Sequence, residues 1–206
     1  MTRFAVQLLD ALVPTSCVNC AATGSLFCET CRATLRFECT RTTRKDLVGY
    51  RAYEFVRPID SVIIGFKDQG RTALAGYLSR KLVKVLEQTP FENFKLVPVP
   101  TSARSYRRRG FDPNLSVLRK LPPTYPTARC LRLARQTGDQ RGLSVTGRID
   151  NLAGSMVATR ERAPLVIYDD VLTTGATLLE ARRALEQAGN RVLGFVTIAE
   201  ATLKHA

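Results

Sequence analysis

Short apolar runs and helical apolar repeats alternate along most of the chain. Continuous apolar runs predict buried strands at 95–99, 130–133, 165–168 and 192–199. Apolar residues three or four positions apart predict amphipathic helices at 74–86, 114–121 and 177–188. Strands that alternate with helices are typical of a mainly parallel α/β sheet, and the ligands of such sheets bind at the carboxyl ends of the strands. The pattern therefore predicts a parallel sheet flanked by helices.

Four other segments have a less regular pattern. A short amphipathic helix is predicted at 4–13, and a strand-like stretch covers 48–66, including the apolar run at 61–64. Basic residues predict a loop at 101–113. The polar stretch 135–151 is long for a loop, so we expect it to be functional or mobile.

Length and composition indicate a folded protein with one main domain. A chain of 206 residues can hold one domain with its own core and a small appendage. Hydrophobic residues make up 45% of the chain and charged residues 24%, which excludes an intrinsically disordered protein. We divide the chain into an N-terminal helix with a cysteine module at 1–45 and a main domain at 46–206.

Positive charge is concentrated in one quarter of the chain. The formal net charge is +13, and residues 101–150, with 11 Arg or Lys and three Asp or Glu, contribute 8 of these charges. Such a segment attracts polyanions, which include pyrophosphate groups, nucleic acid and an anionic membrane surface. Charge alone does not distinguish these partners.

The start of the chain and its apolar runs predict a cytoplasmic protein. The first 14 residues contain a single Arg and place Asp10 within the apolar stretch, which makes a poor signal peptide. No run approaches the roughly 20 apolar residues needed to cross a bilayer. We therefore expect the six cysteines to be thiols or metal ligands rather than disulfides.

Two cysteine pairs lie in a segment without apolar periodicity. Cys17 and Cys20 form the first pair, and Cys28 and Cys31 form the second. Four thiolates at this spacing can close a tetrahedral site, so we predict structural Zn²⁺ that supplies folding energy. A redox pair and inert buried thiols are the alternatives. Cys130 lies on a predicted strand and is expected in the core.

An acidic pair at the end of a predicted buried strand is followed by a turn of small residues and a helix. The backbone N–H groups of residues 173–177 can surround a phosphate monoester, and Gly175 lets the backbone approach it closely. Asp169 and Asp170 can accept hydrogen bonds from two vicinal ribose hydroxyls and lie near Mg²⁺ on a pyrophosphate. The alternative is a solvated acidic turn with a threonine cap that binds nothing.

This segment resembles the loop of type I phosphoribosyltransferases that binds 5-phosphoribosyl-1-pyrophosphate (PRPP). The family pattern is an apolar strand, Asp-Asp, two residues and Thr-Thr-Gly-x-Thr, and the sequence meets each of these positions. The resemblance implies that the acidic pair holds the ribose, that 173–177 hold the 5-phosphate, and that Mg²⁺ binds with PRPP. The full set of PRPP-binding residues that we predict, including residues outside this loop, is Lys67, Thr101, Arg104, Arg107, Asp169, Asp170, Thr173, Thr174, Gly175, Ala176 and Thr177.

A second strand end leads into a cationic segment. Residues 97–100 are Val-Pro-Val-Pro, and an Arg-Gly-Phe tripeptide follows at 109–111. Guanidinium groups suit pyrophosphate oxygens, and a solvated arginine face is the alternative. The arginines of this segment are Arg104, Arg107, Arg108 and Arg109.

Together the two segments resemble the ComF family, competence-associated proteins with a type I phosphoribosyltransferase-like domain and an N-terminal zinc finger. The resemblance spans essentially the whole chain, and its further matches are Phe66, Lys67, Gly70, Arg135, Gln140, Leu143, Arg148, Asn151 and Leu152. It implies that Lys67 lies near the pyrophosphate, that 135–151 form a flexible lid, and that the protein helps to bring transforming DNA into the cytoplasm. Asp112 departs from the family pattern, in which Asn is common, and Tyr168 replaces an aliphatic residue.

Two functions are compatible with these residues. An enzyme would transfer a phosphoribosyl group to a nitrogen nucleophile by electrostatic stabilisation of the departing pyrophosphate. Its expected catalytic residues are Asp169, Asp170 and Arg109. A binding module would instead hold single-stranded DNA, although few aromatic residues are available there for stacking. Its expected contacts are Arg107, Arg108, Arg109, Arg135, Arg141 and Arg148.

Several partners follow from these two functions. We expect PRPP or a related phosphorylated sugar, single-stranded DNA, proteins of the DNA-uptake machinery and a second copy of the chain in a homodimer. Contact with that machinery would place the protein at the inner face of the membrane.

Overall fold

The computed structural model describes residues 15–134 and 154–201. In these residues the strands are β1 (Thr40–Arg44), β2 (Leu47–Glu54), β3 (Lys95–Pro98), β4 (Leu131–Leu133), β5 (Met156–Ala158), β6 (Leu165–Leu172) and β7 (Val192–Glu200). The α-helices there are α1 (Glu29–Ala33), α2 (Ile59–Asp68), α3 (Ala75–Leu86), α4 (Ala103–Arg109), α5 (Pro113–Leu118) and α6 (Ala176–Gln187). A short 3-10 turn at Thr72–Leu74 precedes α3.

Five strands form the main sheet in the order β1-β2-β7-β6-β3. The strands β2, β7, β6 and β3 are parallel to their neighbours, whereas β1 is antiparallel to β2 at one edge. A separate antiparallel pair consists of β4 and β5. The predicted α/β fold, with a mainly parallel sheet flanked by helices, is confirmed.

Both faces of the sheet are covered. On one face α2 and α3 bury Ile59, Phe66 and Leu82 against Tyr168 and Val196 of the sheet, and all five residues are essentially inaccessible. The other face carries α6. Because each large apolar side chain buried from water contributes about 1.5–3 kcal/mol, these two cores hold the strand ends in fixed positions.

Two predicted elements were wrong in type. The apolar run at 61–64 lies in α2 and not in a strand, because Ile59, Val62, Ile63 and Phe66 recur at helical spacing and all face the core. The predicted basic loop at 101–113 contains α4, which has regular caps at both ends.

The caps of α4 explain why this basic segment is helical. At its N-terminus the Ser102 hydroxyl accepts a hydrogen bond from the Ser105 N–H at 3.1 Å. At its C-terminus Gly110 takes a left-handed conformation with φ +78°, which suits glycine.

The strand β6 is longer than its apolar run. Pairing with β7 continues through Asp169 opposite Thr197 to Leu172 opposite Glu200, so the acidic pair lies inside the strand and not beyond its end. Pairing with β7, and not a longer run of apolar residues, extends β6 to Leu172.

Several predictions lie outside the described residues: the helix at 4–13, the lid at 135–151 and the roles of Arg135, Arg141 and Arg148. The division of the chain at 45/46 stays a prediction. In the described part of the chain, no helix is both long enough and apolar enough to cross a membrane.

Candidate anion-binding site

The acidic pair lies in β6, just past the point where the neighbouring strand β3 ends. Successive residues of a strand point to opposite faces, and the two carboxylates accordingly have different partners. Asp170 is 3% exposed, and its two carboxylate oxygens lie 2.8 and 3.1 Å from the Lys67 Nζ. Lys67 is contributed by the last turn of α2. The strand and the helix therefore meet in a largely buried ion pair.

Asp169 is partly exposed and is held by hydrogen bonds. Its Oδ1 accepts one from the Asn114 Nδ2 and one from the Asp170 backbone N–H, both at 3.0 Å. The Asn114 Nδ2 also donates to the Val99 carbonyl at 3.1 Å, which ties α5 to the end of β3. The sequence analysis missed Asn114. Its position directly after the Asp112-Pro113 helix start was the available signal.

The electrostatics of the pair are coupled. Burial and the adjacent Asp170 charge raise the pKa of Asp169 to about 7, although Lys67 and Asn114 oppose the shift. Burial lowers the pKa of Lys67, but the charges of Asp170 and Asp169 outweigh burial and raise it. The lysine therefore stays protonated, and Asp169 can change its charge near neutral pH.

The residues 173–177, called here the phosphate turn, connect β6 to the N-terminus of the 12-residue helix α6. The Thr174 Oγ1 accepts a hydrogen bond from the Ala176 N–H at 3.3 Å. Among the described residues, no acceptor is found for the backbone N–H groups of Thr173, Thr174, Gly175 and Thr177. These donors lie at the positive end of a helix, where anions are favoured.

Arg44, on the edge strand β1, covers the outer side of the phosphate turn. Its Nη2 donates to the Thr173 carbonyl at 2.9 Å and contacts the Glu200 carboxylate at 2.7 Å. Gly175 has φ +81°, and a Cβ atom there would lie 2.5 Å from the Arg44 Cγ. Glycine is therefore needed for both backbone conformation and space. The sequence analysis missed this contact because 129 residues separate Arg44 from Thr173.

A cationic cleft of about 420 Å³ adjoins the acidic pair through Lys67. The cleft, called here the anion cleft, is lined by Lys67, Asp68, Gly70, Arg108 and Arg109. The Asp68 Oδ1 lies 3.2 Å from the Arg108 Nη2 and 3.3 Å from the Arg109 Nη2. Two of the arginines that the sequence predicted for pyrophosphate or DNA therefore share one carboxylate.

The remaining predicted PRPP residues of the basic segment are Thr101, which precedes α4, and Arg104 and Arg107, which lie on it. Thr101 and Arg107 line a second cleft of about 650 Å³, together with Tyr106 and Arg132. Arg104 lies on the exposed surface of the helix. The structure thus brings Lys67 into contact with the acidic pair and places Arg109 in the same cleft as Lys67, whereas Thr101 and Arg107 line the second cleft.

The four cysteines Cys17, Cys20, Cys28 and Cys31, called here the cysteine cluster, have Sγ atoms within 4.8 Å of one another. The Sγ atoms of Cys20 and Cys28 are 3.6 Å apart. Tetrahedral zinc with Zn–S bonds of about 2.3 Å places sulfur atoms about 3.8 Å apart, so the cluster fits Zn²⁺.

Hydrogen bonds to sulfur support that fit. The Cys28 N–H donates to the Cys17 Sγ at 3.4 Å, and the Asn19 Nδ2 donates to the Cys31 Sγ at 3.3 Å. Burial raises the pKa of Cys17, but neighbouring N–H groups lower it to about 6 overall. Asn19 lowers the pKa of Cys31, yet burial and the other three thiols raise it to about 12. A bound cation would allow all four thiols to ionise.

The cysteine cluster is joined to the helix that carries Lys67. Val18 packs on Gly65 of α2, where a Cβ would lie 2.7 Å from the Val18 Cγ1. The Ser61 hydroxyl donates to the Asn19 Oδ1 at 3.2 Å. Cys39 and Cys130 are separate from the cluster, and Cys130 is in the core as predicted.

Comparisons with known proteins gave matches among solved structures alone. No family model matches the sequence. No curated protein matches it significantly. Among solved structures, similar ones are the UMP synthase of Leishmania donovani, the orotate phosphoribosyltransferase of Mycobacterium tuberculosis H37Rv in complex with Fe(III) dicitrate, and the adenine phosphoribosyltransferase of Leishmania tarentolae.

These three similarities are weak. The UMP synthase has a TM-score of 0.40 at 18% identity over 63% of this chain, which spans only 23% of that protein. The orotate enzyme has a TM-score of 0.38 at 15% identity and covers 84% of this chain and 81% of its own. The adenine enzyme has a TM-score of 0.39 at 11% identity and covers 79% of this chain and 94% of its own. Scores this low carry no argument, so the fold class rests on the sheet topology.

Proposed function

We propose that this chain is a ComF-type, phosphoribosyltransferase-like protein that binds PRPP or a related phosphorylated sugar. One observation carries the proposal. The phosphate turn, the acidic pair and the anion cleft follow one another around the end of β6, with Lys67 in contact with both Asp170 and the cleft. A sugar phosphate with a diphosphate on its other side needs these three kinds of group in this order.

Each part of the site has a role in the proposal. The backbone N–H groups and hydroxyls of Thr173, Thr174, Gly175, Ala176 and Thr177 bind the 5-phosphate. Asp169 and Asp170 accept hydrogen bonds from the ribose hydroxyls. Lys67 and Arg109 bind the pyrophosphate, and Thr101, Arg104 and Arg107 remain proposed second contacts from α4. Mg²⁺, when bound beside the carboxylates of Asp169 and Asp170, would neutralise pyrophosphate charge.

The proposed reaction is a substitution at the ribose C1. The bond from C1 to the pyrophosphate oxygen breaks, the pyrophosphate leaves with the electron pair, and a nitrogen nucleophile forms the new bond to C1. Arg109 and Lys67 stabilise the charge that develops on the leaving group. Such catalysis is mainly electrostatic and requires no histidine.

Calorimetry tests the proposed sugar phosphate site. Titration with PRPP and Mg²⁺ should show binding by the wild type and its loss in the isosteric double variant Asp169→Asn and Asp170→Asn. Asp46→Asn is the matched control, because Asp46 pairs with Arg182 outside the site. Equal binding by the wild type and the double variant would refute the assignment.

We also propose structural Zn²⁺ in the cysteine cluster. Its four sulfur atoms have the spacing that tetrahedral zinc requires, and the segment around them has only the five-residue helix α1. Zinc content near one ion per chain is expected.

Single-stranded DNA binding in DNA uptake is the second candidate function. Arg107 and Arg108 are exposed on α4, and Tyr106, which lines the second cleft together with Arg107, is 51% exposed. A basic helix with an exposed aromatic ring suits a strand backbone and a stacked base. This function would bring the protein to the uptake machinery at the inner membrane face. Affinity for an unstructured oligonucleotide should fall steeply with salt, and a flat response would refute it.

A further inference from the structure

Two ion pairs lie next to each other at the C-terminal end of α2. Lys67 is paired with Asp170, and the following residue, Asp68, is paired with both Arg108 and Arg109. The three cations of the anion cleft therefore face two carboxylates of the protein itself, which offset part of their charge. Asp68 has no place in the proposed chemistry, and a neutral residue there would leave a stronger anion site.

The Asp68 carboxylate leaves the Arg109 guanidinium partly unsatisfied. Its side chain is only 15% exposed, whereas Asp68 is 49% exposed. Its Nε is buried and has no acceptor in the described part of the chain. The carboxylate of Asp68 thus satisfies only part of a nearly buried guanidinium, and leaving such a donor unpaired is unfavourable.

An anion without a metal ion is poorly matched to this arrangement. It could form ion pairs with Arg108, Arg109 and Lys67, but Asp68 and the buried Asp170 would then lose the cations with which they are paired. A buried carboxylate that loses its partner is strongly destabilised. A divalent cation that arrives with the anion compensates the carboxylates while the anion compensates the basic residues, so no charge is left unpaired.

We propose that Asp68 is a specificity-determining residue, which makes the anion cleft selective for the divalent-metal complex of a diphosphate over the metal-free diphosphate. The inference rests on the proposed function, because it assigns the diphosphate to the anion cleft. Asp68 competes with the incoming anion for Arg108 and Arg109. A ligand that carries its own cation can displace Asp68 without leaving its carboxylate unpaired.

Calorimetric titration of the full chain with inorganic pyrophosphate tests the inference. Each titration is made with excess Mg²⁺ and again with a chelator of divalent ions too weak to remove zinc from thiolates. The wild type should prefer the Mg²⁺ complex. Asp68→Asn should bind metal-free pyrophosphate about tenfold more tightly than the wild type, the order of magnitude for removing one charge a few ångströms from a polyanion in a hydrated site. Its affinity for the Mg²⁺ complex should change much less.

Asp46→Asn is the matched control, because it removes one negative charge from another Asp–Arg pair, which does not line the anion cleft. If Asp68→Asn behaves like Asp46→Asn, or binds metal-free pyrophosphate more weakly than the wild type, the inference is wrong. Asp68→Ser, with the same loss of charge and a smaller side chain, must repeat the result. If the wild type binds PRPP with Mg²⁺ but the variants show no gain, only this inference fails. If the wild type binds neither PRPP nor pyrophosphate, the proposed function fails with it.

Discussion

The cysteine cluster and the phosphate turn are both candidate binding sites, but different forces hold them in shape. The cysteine cluster belongs to a short segment with one five-residue helix, and its four thiols repel one another when they ionise. The phosphate turn lies between β6 and α6, and Arg44 and Glu200 fix it from outside. We expect the first site to need a bound metal ion to keep its shape, whereas the second is held by the sheet, the helix α6 and Arg44.

The helix α2 connects these two kinds of site. Its outer side carries Gly65 and Ser61 against the cysteine module, and its last turn carries Lys67 against Asp170. A change of shape in the segment around the cysteine cluster can therefore reach the acidic pair through α2. The phosphate turn is held instead by Arg44 of β1. Metal loss should affect the pyrophosphate end of the site more than the phosphate end.

The largest expected effect is that of metal removal. Structural zinc sites have apparent binding free energies of about 10–16 kcal/mol at neutral pH, so Cys28→Ser or strong chelation should release the metal and unfold the segment around the cluster. Hydrogen exchange should then become fast in residues 15–37, while β6 and α6 stay protected. The Cys39→Ser variant is the control. Cys39 lies outside the cluster, so this variant should retain zinc. Equal loss of protection in β6 would show that the two regions are not independent.

A smaller effect is expected from Gly175→Ala, which attacks the preformed turn. The substitution combines strain at φ +81° with a clash against Arg44, and we expect the free energy of unfolding to fall by about 1–3 kcal/mol. Gly189→Ala is the matched control, since Gly189 has φ +79° but nothing within 4 Å of its would-be Cβ. Chemical denaturation should show a larger loss for Gly175→Ala. Equal losses would mean that Arg44 does not constrain the turn.

The smallest expected effect is a pH dependence at Asp169. Its pKa is raised from 3.8 to about 7 in the folded protein, so the folded state binds more protons than the unfolded state between these values. The carboxylate therefore lowers stability progressively as pH rises from about 4 to about 7. Asp169→Asn should remove this decline, so its melting temperature relative to the wild type should rise between pH 4.5 and pH 8.

For Asp46→Asn we expect the stability difference from the wild type to change with pH in the opposite direction. The Arg182 hydrogen bond lowers the pKa of Asp46, so this carboxylate stabilises the fold above its unfolded pKa, and the contribution is lost as pH falls. Its variant should lose stability relative to the wild type at high pH, where Asp169→Asn gains it. A pH-independent difference for Asp169→Asn would contradict the coupling within the acidic pair.

The parts of the molecule that were predictable from sequence depend on local patterns. The buried strands, the core helices and the order of Asp169, Asp170 and the phosphate turn follow from periodicity and adjacent residues. The spacing of the cysteines likewise predicted their cluster. In each case the residues that make the feature are neighbours in the chain.

The parts that were not predictable depend on distant residues. Arg44 reaches the phosphate turn across 129 residues, Asp68 meets its arginines across about 40, and Asn114 meets Asp169 across 55. No short window of the sequence contains both partners of such a contact. The α2 helix was mistaken for a strand because its β-branched run at 61–64 has strand propensity, and tertiary packing decided otherwise.

The most direct test of the central claim is whether the phosphate turn binds a sugar phosphate through its backbone. Ribose 5-phosphate is titrated into protein labelled with ¹⁵N at threonine and glycine, and amide resonances are followed by NMR. Saturable shifts concentrated at Thr173, Thr174, Gly175 and Thr177, and absent in Gly175→Ala, are the predicted result. Unchanged resonances at these four residues, with ligand present in large excess, would contradict the account.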